Sequence, residues 1–164
     1  TAGNAMATSF TSTFTTANVL FMDTFESGTT KWDTTSTWGL ISSVFSSPTH
    51  SLTDSPSGNY GNNANNAITS EVIALNGINT VTLSYWLTGA TQAMADYLRV
   101  EYSTNGVTWN AAANLSGDLG QGVRSHSLNL GVGATQLQIR FRLTSNGNTT
   151  DDGAYIDDVI VQAS

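Results

Sequence analysis

Gln136-Leu137-Gln138-Ile139-Arg140-Phe141-Arg142-Leu143 alternates polar and apolar residues without a break. Successive side chains of an extended chain point to opposite faces. Leu137, Ile139, Phe141 and Leu143 therefore face a core, while the glutamines and arginines face away from it. Tyr97-Leu98-Arg99-Val100-Glu101-Tyr102 repeats the pattern, with Leu98, Val100 and Tyr102 on one face and Tyr97, Arg99 and Glu101 on the other. Outward from these two segments, runs rich in Val, Ile, Leu, Thr and aromatics predict strands near 8–15, 18–25, 37–45, 66–75, 79–88, 96–104, 123–130, 135–144 and 154–162. Clusters of Gly, Asn, Pro and Ser separate them, and Asn105-Gly106 is the pair favoured in tight hairpin turns. Helix signals are almost absent, so no crossover helices are expected. The expected fold is all-β: a two-sheet antiparallel β-sandwich, most simply a jelly roll, preceded by an extended N-terminal strand. Residues 1–20 form the extension and 21–164 the sandwich domain.

Composition narrows the function classes. The chain has 164 residues, enough for one domain with its own core, and carries 12 Asp+Glu against 5 Lys+Arg for a net charge of -7. So few cations argue against nucleic acid, whose phosphates need a basic face. Hydrophobic residues make up 39%, yet no apolar run approaches the roughly 18 residues that a membrane-spanning helix needs. Solubility comes from Thr, Ser, Asn and Gly, a composition typical of secreted and surface β modules. There is no cysteine, which excludes disulfides, thiolate metal sites and thiol nucleophiles. No signal peptide is visible, so an exported form would be a mature or trimmed one.

The first residues are of a different kind. Before Leu20 the chain is rich in Ala, Ser and Thr and has no charge until Asp23. Phe10, Ser12, Phe14 and Thr16 fall on one face of an extended chain. A flexible linker is one reading. A strand added to a neighbour's sheet, with Phe10 and Phe14 as pocket anchors, is the other.

Several phrases resemble a known module. Asp23-Thr24-Phe25-Glu26-Ser27-Gly28, Trp32 and Trp38 are followed by His50-Ser51-Leu52-Thr53-Asp54-Ser55-Pro56-Ser57-Gly58-Asn59-Tyr60. Asp96-Tyr97 through Thr108-Trp109 comes next, and Asp152-Gly153-Ala154-Tyr155-Ile156-Asp157-Asp158-Val159 closes the series. Their order over residues 21–163 is similar to that of the MAM-like and cleaved-adhesin jelly-roll modules of bacterial secreted and surface proteins. The resemblance implies two sheets, no catalysis and often a structural calcium ion. Asn105 departs from it, since such modules commonly have Asp in that turn.

The few carboxylates deserve separate reading. Asp23 and Glu26 lie in the entry segment, and Asp157 and Asp158 lie in the last strand. First and last strands of a sandwich are often neighbours, which would bring these four together. Asp157 and Asp158 alternate along their strand, so one points inward among apolar residues, where an unpaired carboxylate is costly. A Ca²⁺ ion with an oxygen shell would relieve that cost. The resemblance adds Asp54 and the backbone around His50 as ligands. The alternative is that Asp157 or Asp158 accepts backbone amides or pairs with an Arg such as Arg140.

No catalytic residues are expected. His50 and Ser51 are neighbours on a strand and point apart, and neither a nucleophile elbow nor HExxH spacing occurs. Trp32, Trp38, Trp86 and Trp109 read as core or edge packing. Tyr60, in a Gly/Asn-rich loop, is the candidate glycan platform. Asn114-Leu115-Ser116 and Asn148-Thr149-Thr150 match the N-glycosylation acceptor pattern. The leading expectation is a secreted structural subunit that binds copies of itself head to tail, the N-terminal strand of one inserting into the next to build a fibre. The alternative is a carbohydrate- or surface-binding accessory module of a larger secreted hydrolase or adhesin, with polysaccharide as its partner.

Overall fold

The computed structural model describes residues 18–33 and 36–164. The expected strand at 8–15, and with it Phe10 and Phe14, lies outside the described residues. Eleven strands follow in order: β1 Val19–Asp23, β2 Gly39–Ile41, β3 Ser51–Thr53, β4 Asn65–Thr69, β5 Ile73–Ala74, β6 Thr80–Ala90, β7 Tyr97–Ser103, β8 Asn110–Leu115, β9 Gly122–Asn129, β10 Gln136–Thr144 and β11 Gly153–Ala163. There is no helix among the described residues.

The strands form two antiparallel sheets, as the alternation required. One is six-stranded, in the order β2-β3-β11-β6-β9, with β1 also paired to β11. The other is five-stranded, in the order β4-β10-β7-β8, with β5 also paired to β10. β11, the last strand, lies inside its sheet: β6 runs along one side, and β3 and then β1 share the other. β1 and β11 are thus neighbours, as expected of first and last strands.

The strand between 66 and 75 divides in two. Ser70 marks the break: its N–H donates to the Ile139 carbonyl, and its hydroxyl accepts from the Ile139 N–H at 3.0 Å. β3 and β8 were not expected. The two-residue hairpin at Asn105-Gly106 is instead a longer loop between Ser103 and Asn110. There the Asn105 side-chain oxygen accepts the N–H groups of Val107 and Thr108 at 2.9 and 2.8 Å. This local bond competes with the tight turn and opens the loop.

The core lies between the sheets. Leu137, Ile139, Phe141 and Leu143 are all buried, as are Leu98 and Val100 opposite them. Phe141 of β10 is the hub of an aromatic cluster, with ring centroids 5.3 Å from Tyr85, 5.8 Å from Trp32 and 6.5 Å from Trp38. Tyr85 comes from the opposite sheet, so this contact ties the two layers together.

Candidate functional site

The six expected metal-binding residues do not converge. Asp23 is spent on structure: one oxygen accepts the Phe25 N–H at 3.0 Å and the other the Trp32 indole N–H at 2.8 Å. Asp54 sits at the joint between β3 and β11, where its Oδ1 accepts the Ala154 N–H at 2.6 Å. Its Oδ2 is buried with no hydrogen-bond partner among the described residues. Burial raises Asp54 to about 6, against the opposing pull of the Ala154 N–H.

Glu26, His50, Asp157 and Asp158 do share a segment, the stretch that leads into β3. Glu26 accepts the His50 N–H at 2.8 Å and the Thr49 hydroxyl at 3.1 Å, and the His50 and Thr49 backbones hold its carboxyl below the usual range. Asp157, fully buried, accepts the N–H groups of Ser46 and Ser47 at 2.8 and 3.0 Å. Burial nevertheless raises its pKa. Asp158 accepts the Ser47 hydroxyl at 2.7 Å. A register shift in β11 between Asp157 and Ile160, with Asp158 at a φ of 49°, turns both carboxylates onto this segment. Amide capping of Asp157, the alternative drawn from sequence, is therefore in place, whereas Arg140 pairs elsewhere. Among the described residues no three His, Asp or Glu side chains are grouped to hold a metal ion.

Tyr60, read from sequence as an exposed platform, is 4% exposed. Its hydroxyl donates to Asp96 at 2.8 Å and accepts the Gln92 N–H at 2.9 Å, so the ring anchors the loop after β3 to the core. Asn114 and Asn148 are both exposed. Trp32, Trp38 and Trp86 are buried, but Trp109 is only half-buried.

Trp109 lies in an open cleft of about 510 Å³ at one end of the five-stranded sheet. The segment Lys31–Asp33 runs beside Thr69–Glu71, joined by backbone bonds from Asp33 to Thr69 and from Glu71 to Lys31, and forms one wall. The loop carrying Gly106 and Trp109, together with Gln138 and Arg140 of β10, completes it. A side chain at Gly106 would come within 3.1 Å of Gln138 Oε1, so glycine lets the loop close over β10. The Arg140 guanidinium stands over the indole of Trp109 at 4.0 Å from the ring centroid.

Beyond the cleft the outer face of the sheet is polar. Arg140 of β10 stands opposite Glu101 of β7, and Arg142 stands opposite Arg99. Glu101 binds both β10 arginines, to Arg140 at 2.6 Å and to Arg142 at 3.0 and 2.6 Å. Burial works to raise the Glu101 carboxyl, but these bonds overcome it and hold it below its ordinary value. These groups escaped the sequence reading, which assigned Trp109 to packing. The signal was nonetheless present: Arg99, Arg140 and Arg142 occupy the outward positions of the two most regular strands.

No protein-family model matches the chain, and no curated protein matches it. Solved structures do. The K1 cleaved adhesin domain of Lys-gingipain from Porphyromonas gingivalis W83 superposes with a TM-score of 0.61 at 15% identity, over 88% of this chain and 98% of that one. The C-terminal family 22 carbohydrate-binding module of Clostridium thermocellum Xyn10B gives 0.60 at 16% identity, over 89% and 94%. The module TmCBM61, solved in complex with β-1,4-galactotriose, gives 0.57 at 12% identity, over 85% and 94%. At these identities the likeness is one of fold: the chain shares the β-sandwich of adhesin and carbohydrate-binding domains.

Proposed function

We propose that the chain is a non-catalytic extracellular binding module that takes a polysaccharide on the outer face of its five-stranded sheet. The carrying observation is the cleft around Trp109. A half-exposed indole offers an apolar platform to the C–H face of a sugar ring. Gln138, Arg140, Thr30, Thr69 and Glu71 surround it with groups that donate to or accept from hydroxyls. The folds of the family 22 carbohydrate-binding module and of the galactotriose-bound module support this reading, as does the adhesin fold. The fibre reading rested on the N-terminal extension with Phe10 and Phe14, which lies outside the described residues.

Retention of the purified chain on a panel of neutral and acidic polysaccharides tests the proposal. Trp109→Ala is expected to weaken binding roughly tenfold or more, as truncation of a central aromatic contact does, while leaving the melting temperature near that of the parent. No retention on any member of the panel, or equal retention of the variant, overturns it.

We further propose that calcium is held on the segment before β3 by the adjacent Asp157 and Asp158 together with backbone carbonyls near His50. What supports this is that these two carboxylates of β11 both reach the same short stretch, Ser46-Ser47. Hard oxygen donors of this kind suit Ca²⁺.

A further inference from the structure

The arrangement of cations on the outer face says more about the ligand than the cleft alone. Lys31, Arg99, Arg124, Arg140 and Arg142 are the only cations in a chain of net charge -7. Three of them stand side by side on β7 and β10, and Arg99 is placed directly across from Arg142. Like charges opposite each other in a ladder destabilise a sheet, so folding gains nothing from this pair. The only carboxylate among them, Glu101, is used by Arg140 and Arg142.

Arg99 is left over. It makes no ion pair among the described residues, and the single hydrogen bond of its side chain there runs from Nε to Thr144 Oγ1 at 3.3 Å. Its guanidinium lies 5.4 Å from the centre of the Tyr97 ring, which limits its freedom without neutralising it. The Nη groups keep their donors. A guanidinium fixed by a ring and a hydroxyl, with its fork unused, presents the geometry that carboxylates and sulfates accept. The register row through Arg99 continues from Ala67 through Arg142 to Asn114, so a small residue lies at one end and an amide at the other. A chain of sugars crossing the strands along this row would meet two guanidiniums and then a neutral donor and acceptor. Asp33 and Glu71, the acids of the cleft, lie with Lys31 on the wall beside β4, whereas Arg99 belongs to β7.

We infer that the ligand of this face is an acidic polysaccharide whose repeating anionic group is held by Arg99 beside Arg142. This rests on the polysaccharide-binding reading above and adds the charge of the ligand to it. The two sources of such an anion, a uronate carboxylate and a sulfate ester, share the chemistry that the guanidinium reads.

Titration of the full chain at 0.15 M salt separates the possibilities. The probes are polygalacturonate against its methyl ester, and dextran sulfate against dextran. At least one acidic member is expected to bind on the order of tenfold more tightly than its neutral counterpart, the worth of a charge-assisted contact. Arg99→Gln should abolish that preference, while Arg124→Gln, which removes the same charge from the other sheet, should retain it. Preference for polygalacturonate assigns a carboxylate, and preference for dextran sulfate assigns a sulfate; both support the inference. Trp109→Ala should weaken binding of the acidic and neutral members alike. Equal affinity for acidic and neutral members, or an unchanged preference in Arg99→Gln, overturns the inference and leaves the polysaccharide reading standing. Absence of binding to every polysaccharide, including the neutral panel, overturns both.

Discussion

Asp54 concentrates the tension between burial and charge that runs through this molecule. One of its oxygens is satisfied by Ala154, the other has no hydrogen-bond partner among the described residues, and Gly153 is so close that a side chain there would run into the carboxylate. Its pKa is lifted from 3.8 to about 6 by burial. Between those values the folded chain holds a proton that the unfolded chain has released, so this group makes stability fall as pH rises through that window. Glu101 and Glu26, whose pKa values are lowered, act in the opposite sense and at lower pH. Asp54→Asn keeps an acceptor for Ala154 and removes the proton. Relative to the parent, its melting temperature should therefore gain steadily from pH 4 to 6 and then hold a constant difference. A difference curve flat across that window would show that Asp54 does not titrate there. Sequence placed Asp54 among calcium ligands only through resemblance; its contact with Ala154 spans 100 positions and no local pattern announces it.

At the scale of elements, legibility followed alternation. β6, β7, β10 and β11 combine length with one apolar face, and the sequence reading placed them within a few residues. β3 is too short to show a period. β8, Asn110-Ala111-Ala112-Ala113-Asn114-Leu115, offers mostly alanines on both faces because it is a sheet edge with little to bury. The candidate site was legible only in half. The outward arginines could be read from β7 and β10, but the cleft needs Lys31–Asp33 to lie against Thr69–Glu71, a pairing with no local signature. Phe141 tests the inner side of the same β10 strand. It touches rings from the facing sheet and from the loops after β1, so Phe141→Ala should cost about 3–5 kcal/mol in a urea titration, typical of a large core truncation. A cost below about 1 kcal/mol would mean that the layers are held together elsewhere.

For the whole molecule, the calcium proposal makes a thermodynamic statement. An ion bound by the folded chain alone stabilises it by about 2.7 kcal/mol at a hundredfold excess over its dissociation constant. Chelator should therefore lower the melting temperature by several degrees, and added Ca²⁺ should restore it in a concentration-dependent way. Asp158→Asn should blunt that response. A melting curve indifferent to both chelator and Ca²⁺ would mean that Ser46 and Ser47 satisfy the Asp157 and Asp158 carboxylates unaided. Whatever that result, the charge balance is uneven: an acidic body carries a patch of guanidiniums on one sheet. Long-range repulsion of a polyanion and short-range capture thus compete, and salt screens the former over roughly 8 Å at physiological strength.

The position of β11 has a further consequence, in time rather than in space. Because the strand synthesised last in the domain has β6 on one side and β3 and β1 on the other, three strands wait for it before the six-stranded sheet can close. A ribosome therefore releases a chain whose five-stranded sheet faces an unfinished partner layer until residues near 163 emerge. Such a topology delays closure of this sheet until β11 has emerged and keeps the polypeptide threadable until then.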